Sequence, residues 1–485
     1  MQRRMEKVLV VGDGAREHAL AWSLSKSGVR VYAMGKHVNP GIKDVVKRTG
    51  GDYRLGDYLD PAQAVKTAEE ISPDLVVIGP EEPLFRGVSD RLIERGFLTL
   101  GAPFKGALIE MRKDIARNIM WKYKIPGRLA FAVFKDLNEA LSYIKAMGSV
   151  AIKPIRQAGG KGVRVVYSSG QYLEEAREQL ARSRLADVVD ALANYRDVES
   201  GVLVEEAVWG VEYTVQALAD GSSVLPFPVV QDNPHAFELG LGPECGGMGT
   251  VAPLDYVTEE EQAEAAEILK RTIEAVKLEF GVEYRGVISA QMMLTAYGPT
   301  LIEFYSRFGD PEALNVMYLL DDDAYELFTR AASGRLGGLK VGFRGEYTVV
   351  KAIAPLGYPV DRAMARGRRF TIDWDIVQRE GCYVFFGSAV EDSAGYVTLG
   401  SRAVEVLAAG RTPSEAYERA ERCATAVRGD GLFYRRDIGS AEYLRSMRDR
   451  AEKVRAVYKW RRERGLGGKR IDWAPGAKIS VVDYA

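Results

Sequence analysis

Lys153 and Lys161 stand on either side of a glycine-bearing loop, Lys153-Pro-Ile-Arg-Gln-Ala-Gly159-Gly160-Lys161-Gly162-Val163. Glycines let backbone N–H groups come close to an anion, and lysines add compact positive charge. Such a turn suits a polyphosphate. It lacks the Gly-x4-Gly-Lys-Ser/Thr spacing of a P-loop, and a strand pattern rather than a helix follows it. The runs 149–153 and 163–167 read as strands, so the loop is expected to form a hairpin flap over phosphates. The same residues read equally as an ordinary glycine-rich hairpin with solvated lysines.

A second set of chemistry-bearing residues lies in Thr300-Leu-Ile-Glu303-Phe-Tyr-Ser-Arg307-Phe-Gly-Asp310-Pro-Glu312. Glu303 ends a strand pattern, and Gln291 falls on the neighbouring strand of the same expected hairpin. Both offer oxygens, and magnesium takes one or two carboxylates together with nucleotide phosphates. Arg307 could neutralise charge on a phosphoryl group in transfer. Taken alone, Arg307 and Asp310 read as a structural ion pair beside a turn. Together with two lysines and a glycine flap, the nucleotide reading is preferred.

Positioning these groups falls to three patterns along the chain. The first is an alternation of strands (7–12, 29–34, 74–78, 97–100) with helices (through 27, 61–71, 88–95), which predicts a parallel sheet covered on both faces. Ligands of such sheets sit at the carboxyl ends of strands, where the loops 12–18 and 79–87 fall. The turn Gly12-Asp-Gly14-Ala-Arg16-Glu17 is only part of a dinucleotide fingerprint, because Glu17 takes the third glycine position. That argues against NAD and leaves an anion at the helix N-terminus, near Arg16. The second pattern opens with a helix over 112–124. It continues through the flap, a helix over 171–182, a strand over 201–206, hairpins at 211–228 and 287–304, and a helix over 259–279. Between them runs a Gly/Pro-rich loop, 231–249, so this unit is expected to be α+β with antiparallel sheets. The third pattern is a small unit of short strands with one helix, 412–427, followed by an Arg/Lys-rich tail that reads as a solvated amphipathic helix rather than an RNA-binding arm.

Composition removes several classes. Lys+Arg number 66 and Asp+Glu 67, so no overall field favours nucleic acid or an anionic membrane. The 3 histidines make a His-rich zinc site improbable, and the 3 cysteines lack metal-ligand spacing and imply no disulfide framework. No run of 18 apolar residues and no apolar leader is present. A reducing cytoplasm fits.

The motifs together resemble the ATP-grasp family and, within it, the phosphoribosylamine–glycine ligases (glycinamide ribonucleotide synthetases), their archaeal members above all. The resemblance rests on Gly12-Asp-Gly-Ala-Arg-Glu-His-Ala19, Ile78-Gly-Pro-Glu-Glu-Pro-Leu84, Lys153 with Gly160-Lys-Gly162, Glu205-Glu206, Gln231-Asp232, Gly246-Gly-Met-Gly249, Arg307-Phe-Gly-Asp-Pro-Glu312 and Tyr434-Arg-Arg-Asp-Ile-Gly439. It covers residues 6–440 in order. It implies an α/β and α+β multidomain fold: an N-terminal parallel α/β (pre-ATP-grasp) domain over 1–102, an ATP-grasp domain over 103–335 with a lid near 127–207, and a small C-terminal α/β domain over 336–440. Residues 441–485 are left as a basic tail of unknown role.

The resemblance also implies roles. Lys113, Lys153, Lys161 and the flap glycines Gly160 and Gly162 would meet the phosphates of ATP. Glu205, Ala207 and Val208 would meet adenine, and Glu212 the ribose. Gln291 and Glu303 would hold Mg²⁺ or Mn²⁺. Glycine and 5-phosphoribosylamine would meet Gly12, Gly14, Arg16, Glu17, Pro80, Glu81, Asp232, Gly247, Met248, Gly249, Asp310 and Pro311, with Arg307 and Lys153 as the catalytic cations. Glycine would become glycyl phosphate and then the amide of the ribonucleotide, in purine biosynthesis. Neither a membrane nor a nucleic-acid partner is implied, and a monomer or weak homodimer is expected. The chain departs from the family pattern at Tyr305 (an Asn is usual), at Ile155-Arg156 (Asp-Gly) and at Leu239-Gly240 (Gly-Asp). These departures leave two alternatives: a ligase of the same class with another acceptor amine, or a nucleotide-binding paralogue without turnover.

Overall fold

The computed structural model describes residues 5–147, 149–156, 163–166, 201–472 and 480–483. Gly159–Gly162 of the expected flap, Lys161 included, and the helix expected over 171–182 lie outside them.

The N-terminal unit carries a five-stranded parallel sheet in the order Tyr53–Leu55, Arg30–Gly35, Lys7–Val11, Leu75–Ile78, Thr99–Leu100. Its central strands, KVLVV and LVVI, are apolar along almost every position because helices cover both faces. The order reverses between Lys7–Val11 and Leu75–Ile78. The loops that follow these two strands therefore frame a crevice at the switch point. The helix Pro40–Thr49 was not anticipated; Asn39 caps it, accepting from Gly41 N–H (3.0 Å) and Ile42 N–H (3.1 Å).

The middle unit has two four-stranded antiparallel sheets. One runs Phe131–Phe134, Val202–Glu206, Val150–Pro154, Arg164–Val166; the other runs Val224–Pro226, Gly210–Asp220, Arg285–Thr295, Gly298–Tyr305. The helix expected over 112–124 is found as Lys113–Lys122, and a further helix, Phe104–Met111, precedes it, with a break between the two where Arg112 adopts extended backbone. That break aims Lys113 into the space between the sheets.

The Gly/Pro-rich loop does not stay with the middle unit. Its short strands Gln231–Asp232 and Gly249–Ala252 join the C-terminal sheet, where Gly249–Ala252 pairs with Tyr347–Pro355, and the sheet continues through Val404–Gly410 to Tyr383–Phe386. Backbone donors and acceptors must be paired somewhere, and here the loop borrows a neighbouring sheet to pair them.

The tail is also part of the body. Helix Ala441–Glu463 buries Leu444, Ala451, Val454 and Tyr458 against the middle unit, in one core that includes Tyr213, Ile288 and Val406. Glu261 caps helix Glu259–Phe280 with Thr258 in a capping box and also receives Arg455 Nε (2.7 Å) and the Tyr458 hydroxyl (2.6 Å). A solvated tail is thus corrected to a docked one, because four apolar residues at helical spacing outweigh the basic composition. A second correction concerns the cysteines. Cys382 and Cys423, 41 residues apart, are joined as a disulfide with Cα atoms 6.5 Å apart, while Cys245 is free and buried. Helix Trp374–Glu380 packs on helix Pro413–Ala424 and brings the two together, which no spacing rule could reveal. Among the described residues, no helix is long and apolar enough to cross a membrane.

Candidate functional site

Between the two antiparallel sheets lies a cavity of about 370 Å³, closed by the N-terminal loops on one side and the C-terminal sheet on another. One end is walled by Ala151 and Lys153, by Glu205 to Val208, and by Glu212, Met293 and Ile302 from the facing sheet.

Charge at this end is densely paired. Glu205 is buried and accepts from Arg117 Nε at 2.7 Å while also pairing with Lys153 Nζ. Burial opposes its ionisation, but Arg117 and Lys153 outweigh burial and hold its pKa below the usual value. The Glu205 carboxylate is therefore spoken for, so what this segment offers a base is its backbone and the apolar wall of Ala207 and Val208. Lys113 Nζ sits 2.9 Å from Glu303 Oε1. Burial again opposes ionisation of Glu303, and Lys113, then Lys153, win.

Gln291 and Glu303 are directly opposed across neighbouring strands. Gln291 is oriented at both ends: its oxygen accepts from Thr214 Oγ1 at 2.8 Å and its nitrogen donates to Glu212 Oε2 at 3.1 Å. An amide oxygen and a carboxylate side by side, with room for phosphate oxygens, is a donor set that fits magnesium. Among the described residues no group of three or more His, Cys, Asp or Glu could hold a metal by itself. Tyr305 donates to Glu303 Oε2 at 3.4 Å, and the Arg307 guanidinium lies 4.4 Å from its ring centroid.

The other end of the cavity gathers one arginine from each unit. Arg16 pairs with Glu17 (2.6 Å) and reaches Glu81 (3.8 Å). Arg307 faces Glu81 and Glu110, both at 3.3 Å. Arg402 meets Asp310 Oδ1 at 3.0 Å. Among these pairs Asp232 stands apart. Its Oδ1 is buried without a hydrogen-bond partner, and burial followed by the nearby Glu312 pushes its pKa well above the usual range. A buried carboxylate oxygen without a partner is costly and is satisfied by a cation or a strong donor brought by a ligand.

Glu110 gives this end a pH signature. Burial pushes its pKa up to about 7 from 4.5, although Arg307 pulls the other way. The folded protein thus binds a proton here that the unfolded chain has released. Stability from this group is full below pH 4.5 and is lost as pH rises through about 7. Calorimetric scans should show a decline of at most about 1.4 kcal/mol per pH unit in that window, and Glu110→Gln should flatten it.

The sequence-expected residues divide clearly. Lys153, Glu205, Ala207, Val208, Glu212, Asp232, Gly247, Gln291, Glu303, Arg307, Asp310, Arg16 and Glu81 line the one cavity. Lys113 reaches it through Glu303. Gly160, Lys161 and Gly162 lie outside the described residues. Gly12, Gly14, Glu17 and Pro80 are not on the wall. The Glu17 side chain fills the gap between the two N-terminal loops, so a Cβ on Gly12 would stand 2.8 Å from Pro80 Cδ and overlap Glu17 itself. That plug occupies the ground a dinucleotide pyrophosphate would need. Met248 turns its side chain into the core at 0% exposure, and Gly249 begins a strand, so neither places a side chain in the cavity. Pro311 touches the site only by packing on Gly247. Sequence reasoning missed Arg117, Glu110, Arg402 and Glu405, none of which sits in a recognisable local motif, and left Glu312 unassigned within a motif it had singled out.

Comparison with known proteins adds three findings. Family models match in chain order: the phosphoribosylglycinamide synthetase N domain over residues 6–110, its ATP-grasp (A) domain over 111–313 and its C domain over 348–441. A phosphoribosylamine–glycine ligase from Methanopyrus kandleri is 38% identical over 461 residues, spanning 93% of this chain and 100% of that protein. Among solved structures, a phosphoribosylamine–glycine ligase from Thermotoga maritima superposes with a TM-score of 0.71 at 27% identity, over 89% of this chain and 100% of that one. The biotin carboxylase domain of a Hydrogenobacter thermophilus 2-oxoglutarate carboxylase, solved with MgADP, shares the fold at a TM-score of 0.66 and 17% identity, over 94% of this chain and 99% of that one.

Proposed function

We infer a function from one premise: this chain belongs to the phosphoribosylglycinamide synthetase family and is an ATP-grasp ligase. The reaction we propose joins glycine to 5-phosphoribosylamine at the expense of ATP, giving glycinamide ribonucleotide, ADP and phosphate, in the purine biosynthesis of the cytoplasm. One observation carries the reading. Asp232, one of whose carboxylate oxygens has no hydrogen-bond partner, lines the same cavity as Lys153, Glu303 and Arg307, so an amino acid and a triphosphate can be held within reach of one another.

The chemistry follows from what each group can do. A carboxylate is a poor electrophile. An oxygen of the glycine carboxylate attacks the γ-phosphorus, ADP leaves, and glycyl phosphate forms. The amine nitrogen of phosphoribosylamine then attacks the acyl carbon, phosphate leaves with the C–O electrons, and the nitrogen gives up a proton. Lys113 and Lys153 neutralise the phosphates from opposite sides, and Arg307 faces the phosphoryl group in transfer. Mg²⁺, or Mn²⁺, held by Gln291 and Glu303 would spread the charge of the phosphate oxygens. Asp232 receives the ammonium group of glycine and so orients its carboxylate toward ATP. Arg16 and Glu81, at the sheet switch point, receive the phosphoribosyl amine. Lys161 and the flap glycines are assigned to the phosphates on sequence alone. A monomer or a weak homodimer is the state proposed.

The test is a coupled assay of ADP release. Release should require ATP, magnesium, glycine and phosphoribosylamine together, and alanine or serine should not replace glycine. ADP release that ignores glycine would sink this reading.

A further inference from the structure

The C-terminal unit does more than roof the cavity. Arg402 lies just before strand Val404–Gly410, and its side chain is 12% exposed. Its Nη1 donates to the carbonyl of Gly247 at 2.8 Å and to that of Asp310 at 2.9 Å, while Nη2 faces Asp310 Oδ1 at 3.0 Å. Behind it, Glu405 Oε1 stands 3.3 Å from Nη1 and holds the guanidinium in place. The two carbonyls belong to segments far apart in sequence, each carrying a residue of the amino-acid end of the site. A guanidinium is planar and presents its N–H groups in a fixed fork, so with Nη1 on the two carbonyls and Nη2 on the Asp310 carboxylate it holds the three acceptors at a set spacing.

Glycines in the neighbouring loop record how closely that fork is held. A Cβ on Gly246 would stand 3.1 Å from Arg402 Cζ and 3.1 Å from the Tyr358 hydroxyl. On Gly247 it would overlap the Asp232 carboxylate and come within 2.6 Å of Pro311 Cδ. The loop is thus pressed between the arginine on one face and Asp232 on the other.

We propose that Arg402 is a positioning residue of the ligase, setting the distance between the 246–249 loop with its neighbour Asp232 and the segment that carries Asp310. This rests on the ligase reading above. Arg402 touches neither Lys113 nor Lys153, so its role is confined to the amino-acid and amine end. The experiment compares wild type, Arg402→Ala and Arg402→Lys in steady-state ligation and in calorimetric titration with ADP. In Arg402→Ala, kcat/KM for glycine and for phosphoribosylamine should fall about 10²-fold, the cost of misplacing reactants by about 1 Å. Its affinity for ADP should stay within about threefold of wild type, since fixed lysines and the adenine wall are untouched. Arg402→Lys keeps the charge but lacks the second nitrogen that faces Asp310 Oδ1 and the planar fork that fixes its direction, so it should recover only part of the loss. Near-wild-type kcat/KM in Arg402→Ala would overturn the proposal. So would ADP affinity and turnover falling together in both variants, the mark of a merely structural arginine. Should Arg402→Ala fail to fold, Gly246→Ala, which pushes on the guanidinium, should raise the KM for glycine at unchanged ADP affinity, and an unchanged KM would equally overturn it. A wild-type protein without glycine-dependent turnover would instead remove the ligase reading, and this inference with it.

Discussion

Lys153→Met should lower kcat by about 10³-fold while leaving the fold intact, the size of loss seen when one preorganised charge partner of a transition state is removed. The expectation of an intact fold comes from the pairing around Glu205. That carboxylate is buried, and stranding it would be expensive. It is held by two cations, however, and Arg117 Nε at 2.7 Å remains when Lys153 is gone. Methionine keeps most of the aliphatic stem at a position within strand Val150–Pro154, which is buried along its length. Circular dichroism and the melting temperature should therefore stay close to wild type. A properly folded Lys153→Met protein that still turns over glycine at a near-wild-type rate would take this lysine out of the mechanism. A collapse in stability would show instead that Arg117 cannot compensate Glu205 alone.

Arg307→Ala should behave in the opposite way, losing stability and activity together. Arg307 faces Glu81 and Glu110, both at 3.3 Å. Glu81 keeps Arg16 at 3.8 Å, but among the described residues no other ion pair serves Glu110, which is 0% exposed. Removing one partner of a buried pair costs about 3–5 kcal/mol, because the remaining charge has lost its compensation. Above pH 7, where Glu110 would be ionised, the loss should be largest. Adding Glu110→Gln to Arg307→Ala removes the stranded charge and retains an oxygen for Ser306 N–H and Oγ, which donate at 2.7 and 2.6 Å. The double variant should regain most of the stability and none of the activity, with kcat still down by about 10²–10³-fold. Denaturant melts and ligation assays on the single and double variants separate the two effects. Recovered turnover in the double variant would show that Arg307 only balances charge.

Much of this was legible in the chain for a physical reason. Strand and helix periods are local properties, so the hairpin that sets Gln291 opposite Glu303 and the parallel sheet around Lys7–Val11 follow from runs of a few residues. Backbone anion sites are local too, which is why the glycine-bearing turns drew attention first. Glu17 was read as an argument against a dinucleotide, and in the fold its side chain fills the space between Gly12 and Gly79. The helix opening after Arg112 was read within a residue of its start, whereas Phe104–Met111 before it was not read at all.

The chain by itself determined which side chains could carry chemistry and on which elements they ride. Partnership was decided only when the units closed on one another. Arg117 finds Glu205 across 88 residues and Arg402 finds Gly247 across 155, distances over which no period or spacing rule reaches. The docked tail and the disulfide between Cys382 and Cys423 belong to the same class. Burial is the physical reason: an arginine or carboxylate written in sequence is a solvated charge until packing removes its water, and only the folded core settles which opposite charge replaces it.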